Sequence, residues 1–438
     1  VDFLAGRNEK LSHADAVSYS LMAGFGETYF VAFALAIGIS QLTAGLLSSV
    51  PLIAAGLLQL VTPRLLERVK SYRRWVTVCA VIQGLAHLWF VYAALRGHIP
   101  VAAFFLVCVL YWATGMSAGP VWNAWIEAIT DKAAFRPFIA VRSRLAQGAA
   151  FLAFCLAGIA LQQFKQEDRV LTGFVWLFSL ATGFRLLSTL FLTLQTDYYP
   201  EKPSRAEHPW RDLFHMLQDK NSGRFLLFLL IAQVSVHIAA PYFSPYMLGH
   251  IQFSYYDYVI LIAASFIAKI LAYPFIAGLI ERFTAIRCLV VSGIMVSPAP
   301  LFWFLTPSLL PLVVSQVFAG CAWAMFELSS TMLVFSNIKN SERIRILTGY
   351  NLFNAICVVA GSCIGGYLLG KEATAETYRL IFMISAGCRL LAVTALIGVR
   401  DVRLKVKVIA FRTLGLRPSQ GSVAAPVLDT RDQARRAE

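Results

Sequence analysis

The chain has 438 residues, 58% of them hydrophobic and only 14% charged, with a formal net charge of +14. A soluble chain carries about 25% charged residues, so the composition excludes an ordinary water-soluble protein. The excess of Lys and Arg lies between apolar stretches rather than in one patch, which excludes a nucleic-acid surface.

Apolar stretches of about 20 residues recur along the chain, each long enough to cross a hydrocarbon core of about 30 Å. Lipid offers the backbone no hydrogen-bond partners, so such stretches must be helical. A membrane β-barrel would show segments of about ten residues with alternating polarity, and the sequence has none. The expected fold is an all-α membrane protein of twelve transmembrane helices, near 15–38, 41–62, 75–95, 100–127, 138–162, 170–194, 224–248, 256–280, 286–306, 309–335, 346–369 and 376–399. Residues 1–194 would form an N-terminal six-helix bundle, 195–223 a polar central linker, and 224–399 a C-terminal six-helix bundle. Residues 400–438 would be a tail whose last twenty residues, rich in Ala and charge, have the composition of a disordered segment. The eight cysteines sit in apolar stretches or at their ends without a CxxC spacing, so they read as packing residues and not as metal ligands. The first residues lack the pattern of a cleavable signal peptide.

Orientation follows from the basic residues. With the N-terminus inside, the inner segments before the tail carry 21 Lys and Arg, against 5 in the outer loops. Both termini, the 195–223 segment and the 64–74 loop are therefore expected to be cytoplasmic, facing anionic lipid.

The two halves repeat each other. GFRLLST from Gly183 matches GCRLLAV from Gly387, and LAQGAAFLAFCLAGIAL from Leu145 aligns without gaps to LFNAICVVAGSCIGGYL from Leu352. RLLERVKSYRR from Arg64 matches GLIERFTAIR from Gly278. Three matches in the same order, with a polar hinge between the halves, are the mark of transporters built from pseudo-equivalent bundles around a midplane site.

The segment Gly278-Leu279-Ile280-Glu281-Arg282-Phe283 resembles the loop signature of the major facilitator superfamily, with Glu in its acidic slot. Leu65-Leu66-Glu67-Arg68 keeps the acid–base pair without the opening Gly, and PYFSPYML from Pro241 and GCAWAMFEL from Gly320 are similar to segments of poorly characterised bacterial members. The resemblance covers 14–400 and implies a cavity lined by helices 1, 4, 7 and 10. It has two departures: Tyr111 stands near the place of the Arg in the family's helix-4 proton-antiport motif, and the Gly-Pro pair of its antiporter helix 5 is missing. Both lower the case for a typical drug/proton antiporter. The resemblance also implies a bacterial inner membrane, a small-molecule substrate, the bilayer as the other partner, and function as a monomer without a cofactor.

Ionisable groups at membrane depth cost a few kcal/mol or more, so each needs a partner or a watery cavity. Glu27 lies mid-helix 1, where Gly24 and Gly26 permit close backbone approach; Glu327 lies in helix 10 one turn after Trp323; Lys269 is central in helix 8 and His237 in helix 7. These four are the candidates for substrate binding or proton coupling, each against the plainer reading of a structural ion pair or hydrogen bond. Lys269 would be the countercharge of Glu27 or Glu327, or a site for an anionic substrate group. Trp112, Tyr242 and Trp323 are candidate cavity aromatics, and Asn351, Asn354 and Gln147 buried amides that bind substrate or bridge helices. Glu67, Arg68, Glu127, Asp131, Glu281 and Arg282 form a candidate inner gate of breakable salt bridges. Arg185 and Arg389, at symmetric places on outer helices, read as braces.

The expected function is secondary active transport of a small organic solute, coupled to protons. No Walker loop occurs, so ATP is not the direct energy source. A lipid or lysolipid flippase on the same fold is the alternative. A membrane enzyme would need an HExxH or a His/Asp cluster, both missing from the sequence, and a non-transporting sensor would not need charges at this depth.

Overall fold

The computed structural model describes residues 2–130, 135–200, 218, 222–337 and 340–399. All its regular secondary structure among these residues is helical. Among the described residues, ten helices are long and apolar enough to cross a membrane, and Phe353–Leu369 is a shorter apolar one. The chain is thus a multi-pass membrane protein.

Helix α1 (Asp2–Phe25) starts well before the expected residue 15 and gives way to a 3-10 turn at Glu27–Tyr29, followed by α2 (Phe30–Ala36). Its early turns are polar, but Asn8, Ser12, Asp15 and Ser18 are buried against neighbouring helices, so helix continues where hydropathy alone would not begin it. α3 (Gln41–Leu46) and α4 (Pro51–Val69) share the second expected span. Pro51, which has no N–H to donate, suits the first turn of a helix. α5 (Tyr72–Arg96) opens on Ser71, whose hydroxyl accepts from Arg74 N, and ends at Gly97 with φ 72°, the left-handed stop that glycine adopts freely. α6 (Val101–Ile129), α7 (Phe135–Gln166) and α8 (Val170–Leu194) follow with short connections.

The second half has the same character. α9 (Ser222–His237) stops before a 3-10 turn at Ala240–Tyr242, then α10 (Phe243–Pro245) and a π-turn at Tyr246–His250 complete the seventh span. α11 (Tyr255–Phe283) is continuous, whereas α12 (Ala285–Val296) yields to a 3-10 turn at Ala299–Leu301 and the short α13 (Phe302–Leu305). Pro298 and Pro300 explain that interruption, since neither can donate to the preceding turn. α14 (Leu309–Asn337), α15 (Asn340–Leu369) and α16 (Ala375–Val393) complete the described fold.

These helices group into two compact units. The first holds α1–α8 and the Met247–Val259 segment; the second holds α9, α10 and the helices from Ile260 onward. In lipid, packing between helices draws on van der Waals contact and buried polar bonds rather than on escape from water. The first unit accordingly centres on Phe30, Phe33, Phe90, Phe104, Phe174 and Phe178, all buried. Small residues let backbones meet: a Cβ on Gly24 would fall 2.6 Å from the Ala150 carbonyl oxygen of α7, and one on Gly365 would strike the Ile238 carbonyl. The stretch after α8, the start of the expected linker, packs back on this unit. Asp197 accepts from the Ser71 hydroxyl at 2.6 Å, and the Thr196 carbonyl accepts from Trp125 Nε1 at 2.9 Å.

The repeat extends to details that the sequence matches do not reach. The 3-10 turns begin at Glu27 and Ala240, residues that stand 240 − 27 = 213 apart. Each turn ends on a tyrosine at the same offset, and each tyrosine bonds a carbonyl of a neighbouring helix. Tyr29 donates to Phe154 O of α7 at 2.7 Å, and Tyr242 to Ser362 O of α15 at 2.6 Å. The buried arginines match too: Arg185 donates to the Gln83 side chain, and Arg389 to the carbonyl of Val296, the residue 213 beyond Gln83.

Candidate functional site

In the first unit, Glu27 opens the 3-10 turn and is half-buried. Its Oε2 accepts from the hydroxyl of Tyr111 on α6 at 2.7 Å. Tyr111 is fully buried, and Trp112 meets its ring edge-on at 5.3 Å. The same α1 carries Asp15, whose carboxylate pairs with Arg142 of α7 at 3.0 Å and accepts from the Ser188 hydroxyl of α8 at 2.7 Å. Arg142 also donates to Ser12 and lies 4.0 Å from the centre of the Trp122 ring. Arg185 donates to Ser188 at 2.8 Å and covers the Tyr19 ring at 4.9 Å.

In the second unit, Lys269 of α11 forms an ion pair with Glu327 of α14. The other carboxylate oxygen accepts from Tyr273 at 2.8 Å. Lys269 is 7% exposed and Glu327 5%, so both charges have left solvent, and their mutual attraction and the tyrosine offset that cost. Of the two partners the sequence left open for Lys269, Glu327 is the one paired with it. Tyr273 lies one helical turn beyond Lys269 on the same face, which brings both donors to one carboxylate.

The other candidate residues spread over both units. His237 is buried, with Nδ1 2.9 Å from the Gln233 carbonyl. Tyr242 is fully buried on Ser362 O. Trp323 is half-buried and meets Phe326 at 5.4 Å. Asn354 is half-buried, and its Oδ1 has no hydrogen-bond partner among the described residues. Gln147 is half-buried. Glu67 and Glu127 are half-buried, Arg68 and Glu281 exposed, and exposed Arg282 stacks over Phe283 at 5.2 Å. Asp131 and the side chain of Asn351 lie outside the described residues. Among the described residues, no group of three or more His, Cys, Asp or Glu is placed to hold a metal ion.

Sequence reasoning passed over Asp15, Gln83, Tyr111 as a donor, and Tyr273. A usable signal existed for the first: Ser12, Asp15 and Tyr19 recur at helical spacing and so share a face.

Residues 225–428 match the family model described as Major Facilitator Superfamily. No curated protein matches the chain in sequence. Among solved structures, the nucleoside transporter NupG aligns with a TM-score of 0.66 at 15% identity, covering 90% of this chain and 98% of that one. A bacterial homolog of the human lysosomal transporter Spinster aligns at 0.62 and 15%, covering 91% and 98%. A POT family transporter in complex with 5-aminolevulinic acid aligns at 0.65 and 12%, covering 88% and 94%. The second half of the chain thus resembles the major facilitator superfamily, and nearly its whole length shares the fold of these transporters.

Proposed function

We propose that this protein is a secondary active transporter that moves a small organic solute by alternating access, coupled to protons, rather than an enzyme. The observation that carries this reading is the pair of carboxylates set within apolar helices, Glu27 on a Tyr111 hydroxyl and Glu327 on Lys269 and Tyr273. A charge is kept at such depth at a cost of a few kcal/mol, and proton relays and substrate sites are its usual reasons. Glu27, half-buried at a broken helix, is assigned proton coupling. Glu327, with Trp323 one turn before it, is assigned substrate affinity, and Lys269 is the countercharge that substrate or a proton displaces. Trp112 and Trp323 suit a solute with a flat or apolar face. The structurally similar transporters are named for a nucleoside, and for 5-aminolevulinic acid as a bound ligand, which agrees with a solute of that size. The protein acts as a monomer with both termini in the cytoplasm of a bacterial inner membrane, and Glu67, Arg68, Glu127, Asp131, Glu281 and Arg282 make the inner gate.

Thermal-shift screening of the purified protein against a metabolite library, followed by uptake in proteoliposomes, tests this reading. At least one stabilising solute should be taken up, faster when the outside is acidified. Stabilising solutes that are never taken up, with or without a pH gradient, would contradict it.

A further inference from the structure

The Glu27 carboxylate is bonded to a residue of another helix, Tyr111. Tyr111 is 0% exposed, and its ring is held by Phe30 at 5.2 Å, His87 at 5.2 Å and Trp112 at 5.3 Å. Its hydroxyl therefore has little freedom to leave the carboxylate oxygen 2.7 Å away. The backbone of the same residue is fixed as well: Tyr111 O accepts from Gln83 Nε2 at 3.1 Å, and Gln83 Oε1 accepts from Arg185. From Arg185 the bonds continue through Ser188 to Asp15 and on to Arg142. One tyrosine thus joins Glu27 to a buried network that crosses α1, α5, α6, α7 and α8.

The titratable and charged groups around this carboxylate come from each element packed there. α1 gives Tyr19, and the 3-10 turn gives Tyr29, whose hydroxyl is committed to Phe154 O. α5 gives His87, whose Nε2 lies against Gly26 and whose Nδ1 meets the Gln83 carbonyl at 2.9 Å. α8 gives Arg185, already bonded within the network.

We propose that Tyr111 is the positioning residue for Glu27: its hydroxyl holds one carboxylate oxygen in place and so fixes where a proton is taken up. This rests on the coupling role assigned to Glu27 above. A phenol keeps its own proton at neutral pH, so Tyr111 tunes the acceptor without becoming the carrier. Substitution by Phe keeps the ring, and with it the packing against Phe30, His87 and Trp112.

The test needs no transported solute, because the probe is the proton. Infrared difference titration of the full-length protein in lipid nanodiscs follows the carbonyl band of protonated carboxyl groups, and Glu27→Gln identifies the Glu27 component by its loss. In Tyr111→Phe that component should move to higher frequency, because the carboxyl has lost a hydrogen-bond donor. Tyr29→Phe, which removes a hydroxyl from the turn that carries Glu27, should leave it in place. An unchanged band frequency in Tyr111→Phe, or an equal shift in Tyr29→Phe, would overturn the positioning role while leaving Glu27 as a carrier. A titration with no component lost in Glu27→Gln would overturn both, by showing that Glu27 takes up no proton.

Discussion

The two units share a scaffold and differ in their charges. Both have a 3-10 turn at the same repeat position, a tyrosine that fastens it to a neighbouring helix, and a buried arginine bonded to the helix beside it. Where the first unit opens its turn with Glu27, the second has Ala240. The second unit places its carboxylate, Glu327, on α14 instead and sets Lys269 against it. The first sets its ion pair, Asp15 with Arg142, more than three helical turns before its own break. What the repeat has kept is backbone geometry and its fastenings; what has diverged is the ionisable chemistry. Residues that obey the repeat therefore read as structure, and those that break it read as function.

Three sets of substitutions sharpen that division. The largest effect is expected from Lys269→Met, which strands Glu327 without its countercharge; breaking one side of a buried pair costs about 3–5 kcal/mol. The double variant Lys269→Met with Glu327→Gln should recover most of the thermal stability, and a double variant as unstable as the single one would show that the pair is not what Lys269 contributes. Asp15→Asn comes next, at about 1.5–3 kcal/mol for charge-assisted bonds lost to Arg142 and Ser188. Chemical denaturation in a mild detergent would detect it, and a loss below ~0.5 kcal/mol would mark the pair as incidental. Smallest are Tyr29→Phe and Tyr242→Phe, about 1 kcal/mol each. The point of that comparison is their equality: hydrogen exchange at residues 26–33 and 239–246 should rise by similar factors in the two variants. A large rise in one turn and none in the other would mean that the tyrosines are not equivalent fastenings.

Much of the fold was legible because lipid enforces a simple code of long apolar runs. Its interruptions were legible only in part. Pro298 and Pro300 announce the break in the ninth span, and Pro241 the one in the seventh, whereas Gly24-Phe25-Gly26-Glu27 is compatible with a continuous helix and gave no clear sign. The early start of α1 was hidden for a physical reason: hydropathy measures fitness for lipid, while Asn8, Ser12 and Asp15 face neighbouring helices. At the candidate site, depth singled out Glu27, Lys269 and Glu327, but depth could not assign Lys269 to one of two carboxylates. The tyrosine donors escaped notice because aromatic residues are common in membrane helices, and only the three-dimensional meeting of Tyr111 with Glu27 and of Tyr273 with Glu327 sets these two apart.

The most direct test of function residing in the asymmetric charge is acid-driven accumulation of a transported solute in proteoliposomes, comparing wild type with Glu27→Gln. The account predicts that Glu27→Gln loses uphill, pH-driven uptake by at least about tenfold, equivalent to about 1.4 kcal/mol of coupling, while downhill exchange of the same solute continues. Accumulation against the gradient with unchanged pH dependence would contradict it and return Glu27 to the scaffold.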